Sequence, residues 1–143
     1  MNNLLTAIMT KITTGPSALS NDVGGRVFLD QAPAGTEFPY CVFFIVSDVP
    51  EDCFAKDGES ILIQFSLFSA SLGAAEITNM YKDLKALFDD CSMTIPPTGT
   101  ETDKLIWCRR ANLTTMVDDI TVADAAQTVK HWAVDYEITT QEK

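Results

Sequence analysis

The segment FPYCVFFIVSD, residues 38 to 48, restricts the fold more than any other stretch, because every position from Tyr40 to Val46 is apolar. In a strand, successive side chains face opposite ways, which puts Cys41, Phe43 and Ile45 on one side and Tyr40, Val42, Phe44 and Val46 on the other. A strand with one solvated face alternates in polarity, and this one does not. Its β-branched and aromatic content and the Pro39 at its entry favour a strand over a helix. Whatever sheet contains it needs cover on both sides.

The rest of the chain supplies the candidates for that cover. Leu4, Leu5, Ile8, Met9 and Ile12 recur at helical spacing, predicting a short amphipathic helix over residues 2–12 with Asn2 or Asn3 as its N-cap. NDVGG at 21–25 predicts a turn, RVFLD a brief extended piece, and QAPAGTE a loop. The acid-rich stretch 48–60 predicts a long solvated connection. SILIQFSLFS then predicts a second strand, with Ile61, Ile63, Phe65 and Leu67 facing the core and Ser60, Leu62, Gln64, Ser66 and Phe68 forming a mixed face.

Residues 72–91 predict the clearest helix, whose apolar stripe is Ile77, Met80, Tyr81, Leu84, Leu87, Phe88 and Cys91, with Ser71 or Gly73 as cap. Asp89 and Asp90 oppose the dipole at its carboxyl end. LIWCRRANLTTMV predicts a strand with Leu105, Trp107 and Leu113 on one parity and Ile106 and Cys108 on the other. DDITVADAAQ, residues 118–127, predicts an acidic connection. VKHWAVDYEIT predicts a half-exposed strand with Trp132, Val134, Tyr136 and Ile138 inward.

This order, in one domain over residues 1–143, predicts an α+β fold: an antiparallel sheet of about four long strands with two helices packed on one face. Two helices leave the other face open. Six of its apolar side chains, buried at roughly 1.5 to 3 kcal/mol each, would supply on the order of 10 kcal/mol of gross driving force for association. The expected subunit interface is therefore Val42, Phe44, Val46, Leu62, Phe68 and Ile106. Arg109 and Arg110 join it, since adjacent strand residues point oppositely and at least one should meet an acid within the chain or across a contact.

Twenty acidic against ten basic residues, a net charge of −10, repel phosphate and anionic lipid, which argues against a protein that grips nucleic acid. No run approaches a membrane span, and the amino end lacks the basic region of a secretory signal, so the expected origin is cytoplasmic. Cys41, Cys53, Cys91 and Cys108 occur singly and His131 is the lone histidine, so no zinc or redox motif is indicated. There is no GxSxG turn, and Gly24-Gly25 lacks a phosphate-cradling pattern. The paired acids match no calcium loop. No catalytic residue, cofactor or metal is expected.

GGRVFLDQAPAGTEFPYCVFFIVSD, ESILIQFSLFSASLGAAEITNMYKDLKALFDD and a last strand ending in WAVDYEI resemble, in this order, the tail-terminator family of long-tailed bacteriophages, also called tail-completion or tail-to-head joining proteins. The matching positions are Gly25, Arg26, Val27 and Phe28 after the first helix, then Pro33, Phe38, Pro39 and Tyr40. The likeness spans nearly the whole chain, and its motifs are structural punctuation with no catalytic residues among them. It implies a virion protein, assembled in the host cytoplasm, that forms a homo-oligomer of six, caps the tail tube protein and meets a head-completion (connector or stopper) protein. DNA would pass through the ring without specific binding, and no membrane is involved.

On that expectation Asp48, Glu51, Asp52, Asp57, Glu59, Asp118, Asp119 and Asp124 face the lumen or an adjoining ring. Two other readings stay open. One is a small-ligand-binding or regulatory α+β domain that oligomerises through its sheet; the other is an enzyme built on Cys41 or Cys108 with His131.

Overall fold

The computed structural model describes residues 2–13, 17–51, 57–96, 103–122 and 125–142. Its elements in chain order are α1 (Asn2–Thr13), α2 (Ala18–Asp22), β1 (Val27–Leu29), β2 (Tyr40–Pro50), β3 (Gly58–Ser69), α3 (Ala75–Phe88), β4 (Asp103–Val122) and β5 (Ala125–Glu142). The five strands form one sheet in the order β1-β2-β3-β5-β4. Every pairing is antiparallel except that of β1 with β2. The α+β class holds: β1 is the brief extended piece expected at RVFLD, the four long strands and two helices are present, and the short α2 is added.

One face of the sheet carries the core. Cys41 and Phe43 from β2, Ile61, Ile63, Phe65 and Leu67 from β3, and Val134, Tyr136 and Ile138 from β5 are buried together with Leu4, Ile8 and Ile12 of α1. Ile77, Met80, Leu84 and Phe88 complete it, spaced so that one stripe of α3 lies on the sheet. Phe65 stands at the centre, its ring centroid 5.8 Å from that of Phe43, 4.8 Å from Phe88 and 5.7 Å from Tyr136.

Three expectations need correction. Residues 48–50 and 58–60, expected in a connection, are strand: Asp48 pairs with Ile61, Val49 with Ser60 and Pro50 with Glu59. Continuing the ladder satisfies backbone groups that a loop would leave to water. Gly58 permits the closure, because a Cβ there would lie 2.9 Å from the Glu51 carbonyl oxygen and 3.0 Å from that of Thr140. Second, residues 118–122 and 125–127, expected in a connection, are strands of a long hairpin, in which Asp118 pairs with Val129 and Val122 with Ala125. β3 ends at the Ser69–Lys130 rung, so beyond it β4 and β5 run on as a two-stranded arm.

Third, neither Ser71 nor Gly73 caps α3; its N-cap is Ala74, with no side-chain hydrogen bond. The Lys130 ammonium donates to the carbonyls of Ser71 and Leu72 and ties that stretch to β5, so the helix starts later. Glu76 in the first turn accepts from Ser69 Oγ at 2.6 Å and lends its charge to the amino end.

Candidate functional site

The second face of the sheet is ordered by register into rows that cross all four long strands. Tyr40, Phe68, His131 and Met116 form the first; Val42, Ser66, Ala133 and Thr114 the second; Phe44, Gln64, Asp135 and Asn112 the third. Ser47, Leu62, Glu137 and Arg109 follow, and Val49, Ser60, Thr139 and Trp107 close the series.

This face is not uniformly apolar. At one end the rings of Phe38, Tyr40, Phe68 and His131 stack in sequence, with centroids 5.3, 4.7 and 4.3 Å apart. Arg26 Nε donates to the Pro39 carbonyl at 3.1 Å and holds the turn that delivers the first two rings. Burial pushes the Tyr40 phenol up and the His131 imidazole down from their ordinary values, with Asp118 pulling the imidazole the other way. Midway, Gln64 Nε2 donates to Asp135 Oδ1 at 3.0 Å and Ser60 Oγ to Glu137 Oε1 at 3.2 Å, so two carboxylates lie on the face already paired. At the far end the Arg109 guanidinium sits 4.0 Å over the Trp107 ring.

Between the stacked rings and the Gln64 row lies an open hollow of about 360 Å³, lined by Tyr40, Val42, Phe44, Gln64, Ser66, Phe68, His131 and the 30–32 segment. That segment folds back over the sheet, with Asp30 in the left-handed region and its N–H on the Phe43 carbonyl at 2.9 Å. It is the chain's own partial cover for the second face, and Val42 is only 6% exposed. His131 Nε2 is buried there without a hydrogen-bond partner among the described residues.

Of the expected interface residues, Val42, Phe44, Leu62, Phe68 and Arg109 share this face. Val46 and Ile106 sit at bulges in β2 and β4 and are 49% and 46% exposed. Arg110 is on the opposite face, 3.2 Å from Asp89 Oδ2. That ion pair and the hydrogen bond from Tyr136 to the other Asp89 oxygen explain an acid at a helix carboxyl end that the dipole alone disfavours.

Trp107, expected to share a face with Leu105 and Leu113, lies on the other one and is 42% exposed, because β4 carries two bulges, between Leu105 and Trp107 and between Arg110 and Asn112. Each inserts a residue and reverses the parity. Leu105 and Leu113 pack against the core cluster as expected.

The expected acids fall at opposite ends of the sheet. Asp48, Glu51 and Asp57 are exposed where β2 turns to β3, with Glu59 half-buried beside them. Asp118 and Asp119 are exposed on the hairpin arm, where Asp119 accepts from Thr128 Oγ1 at 3.1 Å. Asp52 and Asp124 lie outside the described residues.

A cysteine–histidine dyad has no geometry here. Cys41 and Cys108 face the core while His131 faces the other way, and the sheet separates them. Burial also pushes the Cys41 thiol up to about 12. Among the described residues no three His, Cys, Asp or Glu side chains converge to hold a metal ion, and no described helix is long and apolar enough to cross a membrane.

Residues 9–141 match the family model described as Tail completion protein gp17. No curated protein matches the sequence. Among solved structures, a chain from the virion of a native gene transfer agent particle superimposes with a TM-score of 0.71 over 96% of this chain and 94% of that one, at 11% identity, a likeness of fold.

Proposed function

Because the chain belongs to the tail completion protein gp17 family and is a structural protein of a virion tail, we propose that its copies close into a ring of six that ends the tail tube and joins it to the head. In this reading it acts by assembly alone, without a reaction, cofactor or metal.

The observation that carries the reading is the pair of open sheet edges. β4 is the terminal strand on one side. On the other, β1 covers β2 only from Cys41 to Phe43, so among the described residues β2 is open beyond it. An exposed edge is a template for another chain, and two different edges join head to tail, the contact type that closes rings. Charge favours the match, since Glu51, just past β2, and Lys104 on β4 are both exposed. The Glu51 N–H donates to the Gly58 carbonyl at 2.7 Å, and Gly58, Gln141 and Lys104 share a row, so a neighbour set beside the first without a vertical shift would bring Glu51 opposite Lys104 on the same face. Neighbours in that arrangement would also shelter Val46, Val49, Ile106 and Trp107, all at one end of the sheet.

The two acidic groups then serve different surfaces. We assign Asp48, Glu51, Asp52, Asp57 and Glu59 to one rim of the ring, and Asp118, Asp119 and Asp124 to the opposite rim or the lumen, where negative charge keeps passing DNA from adhering. Electron microscopy of the purified protein, alone and mixed with tail tubes, tests the assembly: rings of six or caps on tube ends are expected, and a monomer that ignores tube ends would overturn it. Neutralising Asp118 and Asp119 should impair head joining or DNA passage at unchanged thermal stability. Full infectivity of that variant would remove the assignment of the arm.

A further inference from the structure

Two thiols meet where α3 ends. Cys91 follows the helix by three residues, and Cys108 sits on the core face of β4 opposite Ile138. The Asp90 N–H donates to the Cys108 carbonyl at 3.1 Å, which clamps the two backbone segments together at the level of these side chains. The Cys91 side chain packs against the core cluster that holds Cys108. Cys108 is buried and Cys91 only half so, which leaves one sulfur of the pair reachable from solvent. Tail completion as proposed above makes no use of either.

We propose that Cys91 and Cys108 are a modification site, an intramolecular disulfide formed when the protein meets a small-molecule disulfide such as oxidised glutathione, and that the bond fastens the end of α3 to β4. The division of labour follows from the surroundings. The neighbouring Cys108 thiol, together with the Lys11 ammonium, pulls Cys91 below the ordinary thiol value, which favours its thiolate. Lys11 Nζ is held in that neighbourhood, 3.5 Å from the Ser92 carbonyl. The same thiol contact, and then burial, push Cys108 the other way and favour its protonated form.

Cys91 is thus the attacking sulfur and Cys108 the resolving one. The Cys91 thiolate attacks one sulfur of oxidised glutathione and expels the other as a glutathione thiolate, leaving a mixed disulfide. Cys108 then loses its proton and attacks the Cys91 sulfur, expelling the second glutathione thiolate. The protein gives up two thiol hydrogens, and one oxidised glutathione becomes two reduced ones. A virion protein is folded in a reducing compartment and works after release into an oxidising one, which would time the bond to the released particle. That timing rests on the virion location; the bond itself does not.

Full-length protein equilibrated with graded mixtures of oxidised and reduced glutathione, acid-quenched and mapped by peptide mass spectrometry without reduction, tests the proposal. The expected product is a peptide pair joined through Cys91 and Cys108 and lighter by two hydrogens, with a higher urea midpoint for the oxidised protein. Cys108→Ser should trap Cys91 as a stable mixed disulfide, whereas Cys91→Ser should leave Cys108 unmodified. A map of the unsubstituted protein in which Cys91 stays glutathionylated, pairs with Cys53 or remains reduced overturns the proposal, whatever the variants do.

Discussion

The Tyr136 phenol donates to Asp89 Oδ1 at 2.6 Å, joining the middle of β5 to the residue just past α3, while Arg110 lies 3.2 Å from the second oxygen of the same carboxylate. Burial, reinforced by this carboxylate, pushes the phenol above its ordinary value, so it stays a donor across the working pH range. Removing the acceptor strands a buried hydroxyl, which costs about 1 to 3 kcal/mol. Asp89→Ala should lower the urea-unfolding free energy by that amount, and Tyr136→Phe, which removes donor and obligation together, by about 1 kcal/mol. Arg110→Ala should cost less than about 1 kcal/mol, because that ion pair stays in contact with water. An Arg110 variant as damaging as the Asp89 variant would show that the ion pair, not the phenol, carries this joint.

Phe65 and Phe68 lie three residues apart on the same strand but on opposite faces, and their substitutions should separate folding from assembly. Phe65 touches Phe43, Phe88 and Tyr136 at the core centre. Phe65→Ala should cost about 3 to 5 kcal/mol, enough to unfold a marginal domain. Phe68 stacks between Tyr40 and His131 on the second face and is only half-buried. Phe68→Ala should leave a cooperatively folded monomer by calorimetry while reducing the oligomer seen by light scattering. Loss of folding in both variants would place the ring stack in the core instead of at an interface.

Much of this architecture is legible in the chain itself. The alternation of Ile61, Ile63, Phe65 and Leu67 identifies β3 and its core face, and the stripe from Ile77 to Phe88 identifies α3, because each pattern is local and repeats with the period of its element. Trp107 shows where such reading ends. A bulge is fixed by which backbone groups of the partner strand are within reach, and nothing in IWCRRAN marks the two places where β4 gains a residue. The arm of residues 118–122 and 125–129 is hidden for a related reason: Asp118 and Asp119 resemble a solvated loop, yet cross-strand pairing holds them in a ladder. Asp89 looks misplaced at the end of α3 because its partner Tyr136 is 47 residues away in sequence. The second face is also more mixed than an apolar run in β2 suggests, since Gln64, Asp135, Ser60 and Glu137 pair across strands that no single segment reveals.

A pH response follows from Asp22 at the end of α2. Burial first, then a hydrogen bond and charge repulsion from Asp83 on α3, raise its carboxyl from 3.8 to about 7. The folded state therefore holds this proton more tightly than the unfolded one, so the contribution of Asp22 to stability is greatest below 3.8 and falls as pH rises toward about 7, where the penalty levels off. Asp22→Asn removes the charge and should stabilise the protein at pH 8. The gain should be on the order of 1 kcal/mol once solvent screening is allowed for, shrinking toward zero at acidic pH. Thermal melts of both proteins across that range check it; a pH-independent gain would mean that packing, not ionisation, separates them.

The head-to-tail edge contact makes a stricter prediction than simple loss of assembly, because each copy contributes Glu51 to one neighbour and Lys104 to the other. Glu51→Lys sets like charges against each other at every junction, and so does Lys104→Glu, so each variant alone should fail to form rings at physiological salt. In an equimolar mixture the two variants can alternate around an even-membered ring. The lysine introduced at position 51 of one copy then meets the glutamate introduced at position 104 of the next, and the following junction keeps the original Glu51 and Lys104 pair. Rings should return in the mixture, and in the double variant, at about the salt sensitivity of the unsubstituted protein. A two-fold contact of β4 with β4 would behave differently: Lys104→Glu would then be silenced or rescued without reference to position 51. Light scattering of the two variants, their mixture and the double variant distinguishes the two geometries.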